Sequence, residues 1–204
     1  TAGTEVFETV QDLTSISSRI NGTIGPVDFT MQTQVPSPLS DYHFTVFDRL
    51  RSASYLQTSA NPAEVAGAVF FDTSVGVRNA GWFVNGGLVY NFRRAPSFFD
   101  AVAYTGNGTA AQTIGHNLGV APEMMWVKSR SLANDWVVYH SGVAVDAETD
   151  YLKLNTTSAK ADWVGAWNDT APTSSSFTVG STPNTNSATY IAYLFATLAG
   201  VSKV

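Results

Sequence analysis

The sequence predicts an all-β fold made of two tandem antiparallel β-sandwich domains, jelly-roll-like in character, at residues 1–98 and 99–204. The first observation behind this prediction is a series of short runs rich in β-branched and aromatic residues, each bounded by turn-forming residues, which is typical of strands. The clearest of these runs lie at 69–71, 88–92, 124–128, 137–139 and 190–195. Their regular spacing favours a sandwich over any arrangement in which helices alternate with strands.

The second observation is an internal repeat, in which residues 41–95 correspond to residues 135–196. A period of about 100 residues is too long for a solenoid and fits a duplicated small domain. We therefore expect the two segments to share one strand order and to superpose. The tyrosine pairs that should coincide are Tyr55 with Tyr151 and Tyr90 with Tyr193.

Local patterns refine the strand prediction. Along residues 42–47 the set Tyr42, Phe44 and Val46 is apolar, so we expect this set to face inward. The best helix candidates are the short segments 62–66 and 157–163.

The composition narrows the function classes. Charged residues make up 13% of the chain, against about 25% in an average protein, so Thr, Ser, Asn and Gln must supply much of the polar surface. The 11 Lys and Arg residues are scattered and the net charge is -5, which argues against nucleic-acid binding because that function needs clustered cations. The chain contains no Cys, which excludes disulfide bonds and thiolate sites. No apolar run approaches the roughly 20 residues of a membrane span, so no membrane partner is expected.

Motifs for catalysis or metal binding are sparse. The letters YTGNGT at 104–109 predict a tight turn, because Asn-Gly favours one and the Lys-Ser/Thr of a phosphate loop is missing. The His residues lack metal-ligand spacing, and His116 is expected to hydrogen-bond loop backbone. No nucleophile elbow occurs. We therefore expect no enzymatic activity, no catalytic residues, no cofactor and no metal.

Aromatic residues are numerous, with five Trp, eight Tyr and twelve Phe. Those within strand-like runs are expected in the core and include Trp126, Trp136, Tyr139 and Phe195. Three others lie among Gly, Asn and Asp residues and are better candidates for the surface, where they could stack on sugar rings. These candidate glycan-stacking residues are Trp82, Trp163 and Trp167.

Residues 97–204 resemble a domain that recurs in virion proteins of tailed phages, especially marine ones. The resemblance depends on FFD at 98–100, YTGNG at 104–108, HNLGVAP at 116–122, VKSR at 127–130, WVVY at 136–139, YLKLN at 151–155 and YIAYLFA at 190–196. Residues 41–95 resemble the back half of the same domain, with FDRLR at 47–51. The first 40 residues depart most from the pattern.

The resemblance implies tandem β-sandwich modules of a virion surface protein, with no settled catalytic residues. The expected function is that of a non-enzymatic structural protein of the virion, a tail fibre or surface appendage involved in host attachment. The alternatives are a capsid decoration protein and a carbohydrate-binding module of a secreted bacterial protein. The expected partners are other virion proteins and a host-surface glycan.

Self-association with sister chains is also expected. Lys, which commonly protects strand edges, is scarce in this chain. In addition, the pairs Phe98–Phe99 and Trp82–Phe83 would be exposed to solvent in a monomer. We expect a homo-oligomer, which would be a trimer if the protein belongs to a fibre. Because the chain begins at Thr1 and closes on letters like the lead-in to another copy, we expect it to be a piece of a longer protein.

Overall fold

The structure is a computed structural model that describes residues 6–10, 19–21, 25–34, 43–51, 53–67, 69–72, 76–79 and 88–204. These residues are nearly all β and every strand pairing among them is antiparallel, which confirms the predicted fold class. The strands are β1 (Phe7–Val10), β2 (Arg19–Asn21), β3 (Phe29–Gln34), β4 (His43–Asp48), β5 (Ser54–Gln57), β6 (Val65–Ala66), β7 (Val69–Asp72), β8 (Gly76–Asn79), β9 (Val89–Phe92), β10 (Phe99–Thr105), β11 (Gln112–Gly115), β12 (Met124–Ser129), β13 (Val137–His140), β14 (Asp150–Lys153), β15 (Ala161–Asp162), β16 (Ser176–Val179) and β17 (Thr189–Phe195). The helical elements of the described part are α1 (Val164–Trp167) and a 3-10 turn at Thr182–Asn184, and neither has the length and apolar character needed to cross a membrane.

The chain divides into two compact units. Unit 1 comprises Thr1–Ser59 and Glu64–Arg94, and unit 2 comprises Ala60–Ala63 and Ala95–Val204. The assignment of the two units as tandem domains with a boundary at residue 98 stays a prediction.

Unit 2 contains a six-stranded sheet in the order β10-β17-β12-β13-β14-β15 and a two-stranded sheet formed by β11 and β16. One apolar core includes residues of both sheets. The large sheet contributes side chains such as Met125 and Leu194, whereas Ile114 and Phe177 come from the small sheet. The apolar faces of two sheets thus bury one another, as in a sandwich.

Unit 1 contains a six-stranded sheet in the order β1-β9-β3-β4-β5-β6 and a three-stranded sheet in the order β2-β8-β7. Taken in chain order, the six strands of its large sheet occupy the same places as those of unit 2. The ladders also agree in register. Val46 pairs with Leu56 and Val138 with Leu152, so the neighbouring Tyr55 and Tyr151 are equivalent.

The second predicted tyrosine pair also agrees. Tyr90 faces Met31, and Tyr193 faces Trp126. The strand orders and both tyrosine pairs therefore match the predicted repeat, while duplication itself stays a prediction. One detail needs correction. The register makes Val46 of β4 equivalent to Val138 of β13, and this offset is two residues shorter than the offset between residues 41 and 135, where the predicted repeat begins. Such a slip leaves the faces unchanged because side chains alternate with a period of two.

Both helix predictions are wrong. Segment 62–66 ends in the short strand β6, where Val65 pairs with Tyr55. Segment 157–163 contains β15, where Ala161 pairs with Tyr151, and the helical turn α1 begins only at Val164. Pairing with a neighbouring strand overrides the local preference in both places.

Two burial predictions also need correction. On β4, Val46 of the apolar set is buried as predicted, but Phe44 is 37% exposed, and Tyr42 lies outside the described residues. Thr45 and Phe47 on the other face are also buried, so the strand is covered on more than the predicted face. The pair Phe98–Phe99, which was expected to be exposed to solvent in a monomer, is buried within the single chain. It therefore gives no support to self-association.

The first two residues of the predicted turn at 104–109 are the end of β10, and the others lie in the segment before β11. These two strands belong to different sheets. The fully buried Asn184 holds the turn in place: its Oδ1 accepts the Asn107 N–H at 2.8 Å, and its Nδ2 donates to Asn107 Oδ1 and to Thr109 O. Gly106 is required here, since a Cβ would lie 2.2 Å from the carbonyl oxygen of Thr185. The turn therefore fastens the start of β11 to the segment that precedes β17.

A buried ion pair holds the turn after β4 in unit 1. The Arg51 Nε donates to Asp48 Oδ2, and both side chains are fully buried. Arg51 Nη2 also donates to the carbonyl oxygen of Val46 at 2.9 Å. Asp48 Oδ1 in turn accepts the backbone N–H groups of Leu50 and Arg51.

We predict that Arg51→Met lowers the free energy of unfolding by about 3–5 kcal/mol, because it leaves the Asp48 carboxylate buried without its cation. Urea denaturation measures the change. The control is Arg94→Met, which removes a half-exposed cation paired with Asp28 and should cost no more than about 1 kcal/mol. Equal effects of the two substitutions would contradict a special role for the buried pair.

Candidate functional site

The three candidate glycan-stacking tryptophans differ in how far the structure supports their predicted exposure. Trp82 lies outside the described residues. Trp167 is 1% exposed, its Nε1 donates to the carbonyl oxygen of Asp150 at 3.1 Å, and its ring meets Tyr139 edge-on. The expectation that Trp167 lies on the surface is therefore corrected: α1 turns its ring into the core of unit 2, where it offers no free face to a ligand.

Trp163, in contrast, is 40% exposed. It immediately precedes α1 in an extended conformation, and its N–H donates to the carbonyl oxygen of Thr149 at 2.9 Å. Its ring lies 5.7 Å from the Tyr151 ring at an angle of 58°. The role of Trp163 in glycan stacking stays a prediction, but its ring has the necessary exposure.

Two glycines form the seat on which the Trp163 ring rests. A Cβ at Gly165 would lie 2.5 Å from Cε2 and Cζ2 of the indole, so the ring packs directly on the Gly165 backbone. A Cβ at Gly180 would lie 2.6 Å from the backbone of Gly165, and the Gly180 N–H donates to the carbonyl oxygen of Ala166. Only glycine at both positions allows this close approach. The indole is thus held between Gly165 and Tyr151 with part of its surface free.

Trp163 borders an open groove of about 480 Å³ in unit 2. Val137, Tyr151 and Lys153 come from β13 and β14, and Tyr151 and Lys153 point the same way because they are two residues apart on one strand. Another rim of the groove consists of Ser181, Thr182 and Thr185, and the loop before β13 adds Asn134 and Asp135. The groove therefore combines one aromatic wall with hydroxyl, amide and charged groups.

The hydroxyl-bearing rim is attached to the central strand β17. The Tyr190 hydroxyl accepts the Thr185 N–H at 3.0 Å and donates to the carbonyl oxygen of Thr182 at 3.5 Å. The Tyr190 ring is buried and stacks on Tyr104 at 5.0 Å. This rim of the groove is consequently held by the core rather than by solvent-exposed contacts.

A charged pair stands at one end of the groove. Lys153 Nζ lies 2.8 Å from Asp135 Oδ2, and both side chains are about one-third exposed. Asp135 Oδ1 accepts Asn155 Nδ2–H at 2.9 Å, and Asn155 Oδ1 accepts the N–H of the fully buried Trp136 at 3.0 Å. The carboxylate is therefore oriented before any ligand arrives.

Hydrogen bonding keeps this pair ionised. The hydrogen bonds from Asn155 and then Lys153 hold the pKa of the Asp135 carboxyl below its usual value. The hydrogen bond and charge of Asp135 raise the pKa of the Lys153 ammonium. At neutral pH the groove thus presents a carboxylate and an ammonium side by side.

Sequence reasoning identified Trp163 but missed its partners Tyr151, Asp135 and Lys153 as groove residues. The alternation of Tyr151 and Lys153 on β14 is a signal that they share a face. Asp135 gave no comparable signal, because only the folded β13 and β14 bring it to Lys153.

His116 hydrogen-bonds loop backbone, as predicted. Its Nδ1 accepts the Leu118 N–H at 3.2 Å, its Nε2 lies 3.3 Å from the carbonyl oxygen of Thr173, and its ring stacks on Phe177. Burial lowers the pKa of this imidazole, although the Thr173 hydrogen bond and the Asp100 charge partly oppose the shift. Within the described ranges, no group of three or more acidic or His side chains is placed to hold a metal ion.

A family model described as a domain of unknown function, DUF7483, matches residues 93–204, more than half of the chain. The chain belongs to the DUF7483 family. The matched DUF7483 region contains β10 to β17 and all the groove residues named above. Neither the curated proteins nor the solved structures contain a match to this chain.

We predict that the Asp135–Lys153 pair makes the stability of the protein depend on pH. Because folding lowers the pKa of Asp135, its contribution is fully present above the usual carboxyl pKa, roughly pH 4, and is lost as pH falls through the lowered pKa. Relative to the native protein, Asp135→Asn should lose about 0.2–1 kcal/mol between pH 5 and 8. Urea titrations at several pH values measure the difference, which should shrink below pH 4. A difference that stays constant down to pH 2 would contradict the prediction.

Proposed function

We propose that this DUF7483 protein is a non-enzymatic saccharide-binding protein of a tailed-phage virion, a tail fibre or surface appendage that takes part in host attachment. The groove of unit 2 is the proposed binding surface. Capsid decoration and a module of a secreted bacterial protein stay as alternatives for where the chain acts.

The observation that supports saccharide binding is the exposed ring of Trp163 at the edge of a groove otherwise lined by polar groups. A pyranose has apolar C–H faces, which pack on an aromatic ring, and hydroxyl groups, which need donors and acceptors around them. Ligand sites commonly combine a few apolar contacts with a small number of fixed polar groups. The seat formed by Gly165 and the oriented Asp135 carboxylate give the groove this preorganised character.

The virion location is supported by the sequence resemblance over residues 97–204 and by the all-β architecture with matching sheets in both units. Matching sheets suit the proposal that the chain is a tandem pair of related modules. In such a fibre or appendage, sister chains would associate as a homo-oligomer, a trimer in a fibre, alongside other virion proteins.

We predict that Trp163→Ala weakens saccharide binding at least about tenfold, because the loss of a large apolar contact costs about 1.5–3 kcal/mol. A glycan array identifies the bound saccharides, and isothermal titration calorimetry measures the affinities. Gly165→Ala should weaken binding as well, since the added Cβ displaces the indole without removing it.

Val164→Ala is the matched control. Val164 is 52% exposed beside Trp163 but does not line the groove, so its truncation should leave affinity unchanged. Absence of binding to any glycan on the array would contradict the saccharide-binding function. An equal loss of affinity in the Val164 and Trp163 variants would contradict a role of Trp163 in binding.

We predict that purified phage particles contain this polypeptide, because a fibre or appendage is built into the virion. Mass spectrometry of density-purified particles tests this, and negative-stain microscopy with a labelled antibody distinguishes a tail location from a capsid location. Consistent absence of the polypeptide from particles would contradict the virion location while leaving saccharide binding intact.

A further inference from the structure

We infer that the groove selects neutral saccharides with two adjacent free hydroxyl groups and rejects saccharides that bear uronic acid groups. This inference rests on the proposed saccharide-binding function and deepens it. The feature that supports it is the Asp135–Lys153 pair beside the aromatic wall of Trp163 and Tyr151.

The pair offers an acceptor and a donor at neighbouring positions. Lys153 Nζ and Asp135 Oδ2 are 2.8 Å apart, comparable with the separation of gauche hydroxyl oxygens on adjacent carbons of a sugar ring. An ionised carboxylate has lone pairs beyond those that bind Asn155 and Lys153, and an ammonium has N–H groups beyond the one that faces Asp135. One sugar hydroxyl can therefore donate to Asp135 while its neighbour accepts from Lys153.

The position of the pair relative to the aromatic wall is fixed by the strand. Lys153 and Tyr151 are two residues apart on β14 and face the same side of the sheet, and Trp163 contacts Tyr151. A saccharide stacked on Trp163 can therefore extend past Tyr151 toward Lys153, the next residue of β14 on that face. Stacking and paired hydrogen bonds can be satisfied by one saccharide.

The charges of the groove disfavour an anionic ligand. Of the residues that the structure describes, Lys153 is the one cationic side chain that lines the groove, and it is already paired with Asp135. The described lining therefore has no unpaired cation to bind a uronate. A uronate carboxyl at the pair would meet the Asp135 carboxylate, and like charges in contact are strongly unfavourable. The rim formed by Ser181, Thr182 and Thr185 contributes hydroxyl groups without charge.

The experiment compares ligands that differ in the carboxyl group alone. Oligogalacturonides and alginate oligomers are tested beside the same oligomers after reduction of each carboxyl to a primary alcohol. Calorimetry with the full chain should show binding of the neutral reduced oligomers and at least about tenfold weaker binding of the acidic ones, as for the loss of one charged hydrogen bond.

Asp135→Asn should reverse this preference. The variant keeps the shape of the side chain but frees the Lys153 ammonium, so acidic oligomers should gain affinity and neutral ones should lose it about tenfold. Asp162→Asn is the matched control, because it changes the net charge equally on the exposed strand β15 outside the groove. This control should keep the native preference.

The possible results distinguish a failure of this inference from a failure of the proposed saccharide-binding function. If no oligomer and no array glycan binds, the proposed function itself fails and the inference fails with it. If saccharides bind but acidic and neutral oligomers bind equally, the inference is overturned and saccharide binding stands. An unchanged preference in Asp135→Asn, or the same reversal in Asp162→Asn, would also overturn the inference.

Discussion

Strand β17 imposes the main constraint on unit 2, because it is paired along both edges and buried on both faces. It pairs with β10 on one side and with β12 on the other, and each residue from Tyr190 to Phe195 is at most 8% exposed. Neither face can therefore carry an unpaired charge. This explains why the densest apolar run of the chain lies here, in a strand rather than in a membrane-spanning segment. The Tyr190 hydroxyl of this strand bonds the backbone of Thr182 and Thr185 and so holds the rim of the groove in place.

The groove depends on that core through two separate supports. On one side, the buried ring of Trp167 anchors α1, and the glycine contact between α1 and the end of β16 supports the Trp163 ring. On the other side, the buried Trp136 fixes Asn155, which orients the Asp135 carboxylate. The Asp135 carboxylate is thus linked through Asn155 to the buried Trp136, and Trp163 directly precedes the helical turn that contains the buried Trp167. Such support holds the groove side chains in one geometry.

The sequence was informative where the signal was local and periodic, and uninformative where burial depends on the rest of the fold. The strands around Tyr139 and Tyr193 and the tyrosine pairs of the repeat could be predicted, since alternation and turn residues specify them. Trp163 and Trp167 could not be separated, because both lie in a Gly- and Asp-rich segment. A helical turn of four residues is too short to leave a periodic signal, yet it sends Trp167 inward and leaves Trp163 outside. The partnership of Asp135 with Lys153 likewise arises only when β13 pairs with β14.

The large sheets of the two units have the same strand order but carry different residues at equivalent positions. On the face where unit 2 has the core residues Met125, Val127 and Val137, the register places Thr30, Gln32 and Thr45 in unit 1, and these are buried polar residues. The position of Lys153 is taken by Gln57 in unit 1, which cannot form the ion pair of the groove. Unit 1 thus retains the strand order without the apolar core face or the charged pair. The family match over residues 93–204 includes the segment Ala95–Val204 of unit 2, in which both of these features are present. Among the described residues, the two units therefore share a strand order, whereas the apolar core face and the Asp135–Lys153 pair belong to unit 2.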